Sequence, residues 1–364
     1  MSCLHLADIF NAGLAEYAQH HKMSFQQKRV CQHLMRCRTG ALGYQLWECD
    51  HCKDIRQVGC SCRDRHCPRC QGMATQAWVD KQQAQLLSCR YFHLVFTLPH
   101  ELNVIAQYKP KQLYSSLFKA TWQTLSQFAK RKHQGQLGMT GVLHTWGQNL
   151  SQHIHLHCLI PAGVLKADEW QEIEKGYLYP VKALSTVFRA KMMAALTEQE
   201  VDVEPLSLPA KWCVYSKACL NYSDRLVSYL ARYTRKGVMS ESRLVQQSDD
   251  SVSFRYRDYA DNQREKIMTL PLEVFIQRYL LHVLPRGFMR VRHFGFLASA
   301  CRQRKLSLIR KQQGIAQPEQ KESEVEKVVN WPCPACQQGM LRLSHVGLEP
   351  IAPTGEIEGA ERTG

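Results

Sequence analysis

Acidic residues are scarce in this chain. Asp and Glu number 32 against 47 Lys and Arg in 364 residues, leaving a formal charge of +15 and a pI near 9.2. Residues 286–311 carry eight Lys/Arg and no Asp or Glu. A surplus of this kind points to a polyanion as partner. Long apolar runs are missing too, since none approaches the roughly 18 to 20 residues of a membrane span. The opening Met-Ser-Cys-Leu-His-Leu-Ala-Asp lacks the basic start and apolar stretch of an export signal. No internal repeat stands out. Hydrophobic residues make up 45% and aromatics 9%, enough to bury real cores, which excludes a chain that is disordered as a whole. The expectation is a soluble, cytoplasmic, basic protein with no membrane partner, whose length suggests two or three domains.

Cysteine is abundant instead, with sixteen copies. In a long chain that is not exported, clustered cysteines read as metal ligands rather than disulfides. Nine fall between Cys31 and Cys89, six of them within residues 49–70. Cys49-Asp-His-Cys52 and Cys67-Pro-Arg-Cys70 form two knuckles, in which a two-residue spacer lets a tight turn aim both sulfurs at one ion. The expectation is one tetrahedral zinc on Cys49, Cys52, Cys67 and Cys70, structural because four thiolates close it. Cys60, Cys62, His66, Cys31, His33 and Cys37 raise a second zinc site, with Cys62 a candidate ligand. Arg63, Arg65 and Arg69 decorate the knuckle and are expected to contact phosphate. Cys158, Cys213, Cys219 and Cys301 stand alone and read as small core residues. Cys333-Pro-Ala-Cys336 looks like half a zinc ribbon with no second pair downstream; His345 is a further, distant candidate.

Periodicity predicts helices at 4–20 and at 24–37, the latter with Ser24 as N-cap, then at 72–88, 111–132, 180–196, 223–235, 272–284 and 296–313. Strands are expected at 44–48, 90–98, 139–146, 152–160 and 211–216, with a hairpin of 251–258 and 264–270 around Asp261-Asn262. Residues 313–329, rich in Gln, Glu and Lys, read as a linker. The tail after His345 reads as disordered.

The stretch Gln152-His153-Ile154-His155-Leu156-His157 alternates imidazole with apolar residues. In a strand, residues two apart share a face, so the three rings point one way with the core behind them. Neighbouring rings start about 6.6 Å apart and can share a metal at about 2.1 Å; residues four apart, at about 13 Å, cannot on a straight strand. One ion therefore takes His153 with His155, or His155 with His157, and needs a further ligand, for which His144 and Gln148 are candidates. Open coordination positions suit a catalytic ion. Downstream, Tyr229 and Tyr233 lie at i and i+4 on one helix face among Arg225, Arg232, Arg235 and Lys236. A phenol with a pKa of about 10 is a poor nucleophile, but it becomes useful when a metal withdraws charge from a phosphate and cations steady the phenolate.

A His-hydrophobic-His strand followed by a Tyr-x-x-x-Tyr helix resembles the HUH endonuclease superfamily. With cysteine knuckles in front, the chain is similar to the two-tyrosine rolling-circle transposases of bacterial insertion sequences. The stretches that carry the resemblance are Cys62 to Gln71, His144 to Leu150, His153 to Gly163, Tyr229-Leu-Ala-Arg-Tyr233 and Arg292-His-Phe-Gly-Phe-Leu297. They run in the family's order over about residues 30–345.

The resemblance implies an α+β fold, a central antiparallel sheet flanked by helices and preceded by a small helical zinc-binding domain. It implies that His155 and His157, with His153 beside them, hold Mg2+ or Mn2+ over a scissile phosphate. Tyr229 or Tyr233 then attacks, giving a 5′-phosphotyrosine and a free 3′-OH. The partners implied are the single-stranded DNA ends of the mobile element and its target DNA. Arg232, Arg235, Lys236, Arg290 and Arg292 are expected on the DNA path. The expected units are 1–89 for zinc and DNA recognition, 90–312 for catalysis, and 313–364 for the linker, Cys-x-x-Cys element and tail. A replication initiator would use the same chemistry. A zinc-dependent DNA-binding protein without catalysis would leave the three co-facial histidines unexplained, and a His-metal oxygenase would leave the basic surroundings unexplained.

Overall fold

The computed structural model describes residues 4–70, 83, 85–174, 178–219, 237–259, 261–315 and 331–348. The chain opens with α1 (Leu6–His20) and α2 (Phe25–Arg36). Ser24 caps α2 by accepting from the Gln27 N–H, and the Gln27 side chain returns to the Ser24 N–H, the reciprocal box that satisfies two orphan donors. Two short strands follow, β1 (Tyr44–Cys49) and β2 (Ile55–Gly59). Next come β3 (Tyr91–Thr97), the short α3 (Asn103–Tyr108) and the long α4 (Pro110–His133). Then come β4 (Gly138–Trp146), β5 (Gln152–Pro161), the small pair β6 (Gly163–Lys166) and β7 (Glu169–Glu172), and α5 (Val181–Glu198). After β8 (Val214–Cys219) come β9 (Leu244–Gln247), β10 (Ser251–Asp258), β11 (Arg264–Pro271) and α6 (Leu272–Leu280). The described chain ends with β12 (Val291–Gly295), α7 (Arg302–Gln312), β13 (Trp331–Pro332) and β14 (Met340–Gly347).

The fold is α+β. Its centre is a five-stranded antiparallel sheet ordered β12-β4-β5-β3-β8. The alternation read from sequence decides its two faces. Phe92, Leu94, Phe96, Leu143, Ile154, Leu156, Cys158 and Ile160 point to one side, where α4 and α5 bury them with Leu117, Phe118, Leu125, Phe188 and Met192. The opposite side receives the histidines. Gly141 lies under Phe118, whose ring a Cβ there would meet at 3.2 Å, so helix α4 approaches the sheet closely at that point.

A second core joins distant segments. Ile9 and Phe10 of α1 and Val30 and Leu34 of α2 pack with Phe254 of β10 and Phe275, Ile276 and Tyr279 of α6. Among the described residues, α1 and α2 thus share their core with residues 238–280.

Several elements differ from the periodicity reading for local reasons. The helix expected over 272–284 ends at Leu280, after which the chain tightens into i→i+3 turns, with His282 N–H on the Tyr279 carbonyl and Val283 N–H on the Leu280 carbonyl. The helix expected from 296 starts at Arg302. Gly295 takes a left-handed φ of 63° and Phe296 N–H bonds the Leu137 carbonyl, so the chain turns there first. The strand expected at 211–216 runs three residues later, in register with β3. Cys213, read as a core thiol, is exposed. The helices expected at 72–88 and 223–235 lie largely or wholly outside the described residues. Among the described residues, no helix is long and apolar enough to cross a membrane.

Candidate metal centres

The knuckle cysteines do not share one site. Cys37, Cys62, Cys67 and Cys70 converge in one quartet, and Cys49, Cys52, Cys333 and Cys336 in another. A tetrahedron with Zn–S bonds of about 2.3 Å has sulfurs about 3.8 Å apart. The observed Sγ···Sγ distances are 3.5 Å for Cys37–Cys70, 3.6 Å for Cys62–Cys70 and Cys37–Cys67, and 3.7 Å for Cys49–Cys336 and Cys52–Cys333. Both quartets thus have the size and the donors that zinc requires.

The expected pairing of Cys49 and Cys52 with Cys67 and Cys70 fails for a geometric reason. From Cys52 the chain turns into β2 and runs back along β1, so Tyr44 faces Gly59 while Cys49 sits at the turn end. Five residues of strand rise carry the next cysteines roughly 17 Å away. There Cys37, the C-cap of α2, and Cys62 complete the site instead. Cys62, raised as a ligand of a second site, belongs with Cys67 and Cys70.

The pair Cys333 and Cys336 is not an orphan. β14 pairs antiparallel with β1, and this brings the late knuckle against the early one. Backbone N–H groups of His51 and Cys52 point at Cys49 Sγ, and that of Gly339 at Cys336 Sγ, each at 3.4 Å. Donation from Gly339 and Gln338 draws the Cys336 thiol down to about 6, which favours the thiolate a metal needs. Gly339 must lack a side chain, because a Cβ would stand 2.5 Å from Cys49 Sγ.

The other candidates around the first quartet have different partners. Asp64 takes His66 Nδ1 at 2.8 Å and His33 Nδ1 at 2.9 Å. Burial pushes the Asp64 carboxyl up, but the hydrogen bonds from His66 and His33 more than offset it and hold it well below the usual range. His66 Nε2 accepts from Leu284 N–H, and the His66 carbonyl accepts from Tyr279 Oη. Cys31 is buried in the helical core. Arg65 donates to the Phe288 and Pro285 carbonyls and Arg69 to the Cys37 carbonyl; Arg63 is exposed with a left-handed φ of 52°.

The third centre lies on the face of the main sheet that points away from α4 and α5, where its histidines are buried. His144, His155 and His157 place one ring nitrogen each within 4.8 Å of one another. The register explains this, since His144 on β4 is directly opposite His155 on β5 and His157 is two residues along. His153, expected with the other two, sits at the exposed start of β5 outside this triad, and its ring is 4.9 Å from that of His155.

Hydrogen bonds fix how the triad presents itself. His155 Nδ1 donates to the His153 carbonyl at 2.8 Å, which turns Nε2 toward the cluster. His157 Nδ1 lies 2.9 Å from Nε2 of His93 on β3, with the two rings stacked at 5.1 Å. Burial pushes His155 and His93 down to about 4 and His157 further still, the neighbouring rings adding to the effect. Neutral imidazoles near pH 7 are the protonation state a divalent ion requires. Sequence reasoning missed His93, because only the pairing of β3 with β5 shows which imidazole it reaches. His144 was one of two candidate third ligands, and the register selects it over Gln148.

Around the triad, Trp146 stacks on His144 at 4.6 Å, and the Arg290 guanidinium lies 5.5 Å from the Trp146 ring centre. Arg292 instead points to the helical side, 4.5 Å from the Phe118 ring centre and 4.7 Å from that of Phe288. Tyr229, Tyr233, Arg232, Arg235 and Lys236 lie outside the described residues.

Two family descriptions match the chain: Transposase zinc-binding domain over residues 9–98 and Putative transposase over residues 138–305. The chain is similar to a putative transposase of Sinorhizobium fredii, 38% identical over 92% of this chain and 94% of that protein. It is also similar to the transposase for insertion sequence element IS801 of Pseudomonas savastanoi pv. phaseolicola, 28% identical over 73% of this chain and 69% of that one. No solved structure matches it.

Proposed function

Because the chain belongs to the IS91-type rolling-circle transposases with an N-terminal zinc-binding domain, we propose that it cuts and rejoins single-stranded DNA through a 5′-phosphotyrosine. The observation that carries this reading is the convergence of His144, His155 and His157 on one sheet face. A Mg2+ or Mn2+ ion held there would withdraw charge from the scissile phosphate. His93 orients His157, and the His153 carbonyl orients His155, so both rings keep their aim without a metal to hold them. Tyr229 or Tyr233 supplies the nucleophile: its oxygen bonds to phosphorus, its proton leaves, and the 3′ oxygen departs as the hydroxyl. The second tyrosine permits a further cleavage or strand exchange while the first covalent end is kept. The phosphotyrosine conserves the bond energy, so joining needs no ATP. Both cysteine quartets hold zinc in a structural role, and Arg63 is the knuckle arginine best placed to meet phosphate.

The test is an adduct assay. The protein is incubated with Mn2+ and single-stranded oligonucleotides from the flanks of its own gene, and a denaturation-resistant protein–DNA species is expected. The Tyr229→Phe/Tyr233→Phe double variant should form none. Adduct persisting in that variant, or none in wild type across those sequences, defeats the proposal.

A further inference from the structure

The cationic stretch after α6 has a geometry of its own. A cleft of about 780 Å3 opens beside β12, walled by Lys111, Arg286, Met289, Arg292, His293 and Arg302. Among the described residues, no carboxylate lines it. Lys111 stands in the first turn of α4 and Arg302 begins α7, so distant parts of the chain supply the charges. Arg292 is already committed to the Phe118 and Phe288 rings and to the Met289 carbonyl. Among the described residues, Lys111, Arg286 and Arg302 have no ion-pair partner. His293, which bonds Thr140, is held at about 4 by burial and then by Arg302, so it adds no charge near pH 7. Three cations around one concave wall repel each other, and a polyanion relieves that cost.

The position of the cleft says which polyanion. Among the described residues β12 is an edge strand, two strand spacings or roughly 10 Å from the histidines of β5. The surface between them is marked by Arg290 over Trp146, with Trp146 stacked on His144. Met289, 66% exposed, precedes Arg290 at the mouth. The cleft has the size of a small-ligand pocket, which admits a strand but not a duplex.

We infer that this cleft is a backbone subsite for the single-stranded DNA flanking the cut, with Lys111, Arg286 and Arg302 on its phosphates and Met289 against a base. The assignment rests on the reading that the histidine face cuts DNA.

The experiment measures binding of a labelled oligodeoxythymidylate to the full chain by anisotropy, without added divalent metal, as salt rises from about 50 to about 200 mM. For single strands each phosphate contact contributes roughly 0.7 to the slope of log affinity against log salt. The triple variant Lys111→Ala/Arg286→Ala/Arg302→Ala should therefore lower the slope by about 2, and Arg286→Lys should keep it. Removing three exposed charges from the β10–β11 hairpin, with Arg255→Ala/Arg257→Ala/Arg264→Ala, should leave the slope unchanged. An equal fall in that control would reduce the effect to net charge and overturn the subsite, as would equal competition by a duplex of the same length. Adduct formation separates the two readings. A chain that forms adduct but keeps its slope in the triple variant loses the subsite alone. A chain that loses slope but never forms adduct loses the nuclease reading alone.

Discussion

At the scale of single residues, the histidines do different work despite similar surroundings. His144, His155 and His157 converge, while His93 stands behind His157 and meets its Nδ1. Partners behind a metal-binding ring fix its tautomer, and losing them costs roughly 10- to 100-fold in metal affinity. His93→Phe should weaken Mn2+ binding by that factor, measured by titration against free Mn2+, and His144→Ala by at least as much. His153→Ala should change it little, and an equal loss there would return His153 to the ligand set. His282 does another job. Its Nε2 donates to the Leu150 carbonyl at 3.1 Å and its Nδ1 accepts from Thr145 Oγ1 at 3.2 Å, in full burial that holds it near 4. The unfolded chain takes up that proton near pH 6.5 and the folded chain only near 4. Stability is therefore flat above about 6.5, falls as pH drops toward 4, and loses on the order of 3 kcal/mol in full. Urea midpoints at neutral pH and near pH 5 should show the fall, and His282→Gln should make it smaller, the other buried histidines supplying the remainder; equal losses in both proteins would refute this. The co-facial histidines of β5 were legible because period-two alternation is a local property. His93 and His282 were not, because their partners lie 64 and 132 residues away.

At the scale of elements, spacing within a knuckle is informative and spacing between knuckles is not. Each Cys-x-x-Cys turn is built by its own four residues, so Cys49 to Cys52 and Cys67 to Cys70 could be read directly. Which turns meet depends on β2 folding back along β1 and on β14 arriving beside it. Helices α1, α2 and α4 and strands β3, β4 and β5 were legible from periodicity, whereas β12 was not, since Arg292 and His293 disguise a strand whose faces serve both the helices and the cleft. The ribbon gives a direct prediction. Wild type should contain two zinc ions per chain by elemental analysis, and Cys333→Ser should contain one. Gly339→Ala, which places a methyl against Cys49 Sγ, should behave like Cys333→Ser. If either variant keeps two, the second quartet is not a zinc site.

At the scale of the whole molecule, the cysteine-bearing and histidine-bearing parts are joined by direct hydrogen bonds. Tyr279 reaches the His66 carbonyl, and Arg65 reaches the Phe288 and Pro285 carbonyls near the start of β12. The Arg65 bonds are charge-assisted, and such bonds contribute roughly 1.5 to 3 kcal/mol each when buried and less when exposed. Arg65→Ala should lower the urea midpoint while leaving the salt slope of DNA binding unchanged; a slope that falls with unaltered stability would make Arg65 a phosphate contact after all. The ribbon carries one further consequence, which concerns time. Cys49 and Cys336 are 287 residues apart, and synthesis at about 5 to 20 residues per second separates them by roughly 15 to 60 s on the ribosome. Through that interval the early knuckle has only half its ligands, and a transcript broken anywhere within it yields a chain that never closes the ribbon. Occupancy of that site records whether a ribosome has read through the entire catalytic sheet.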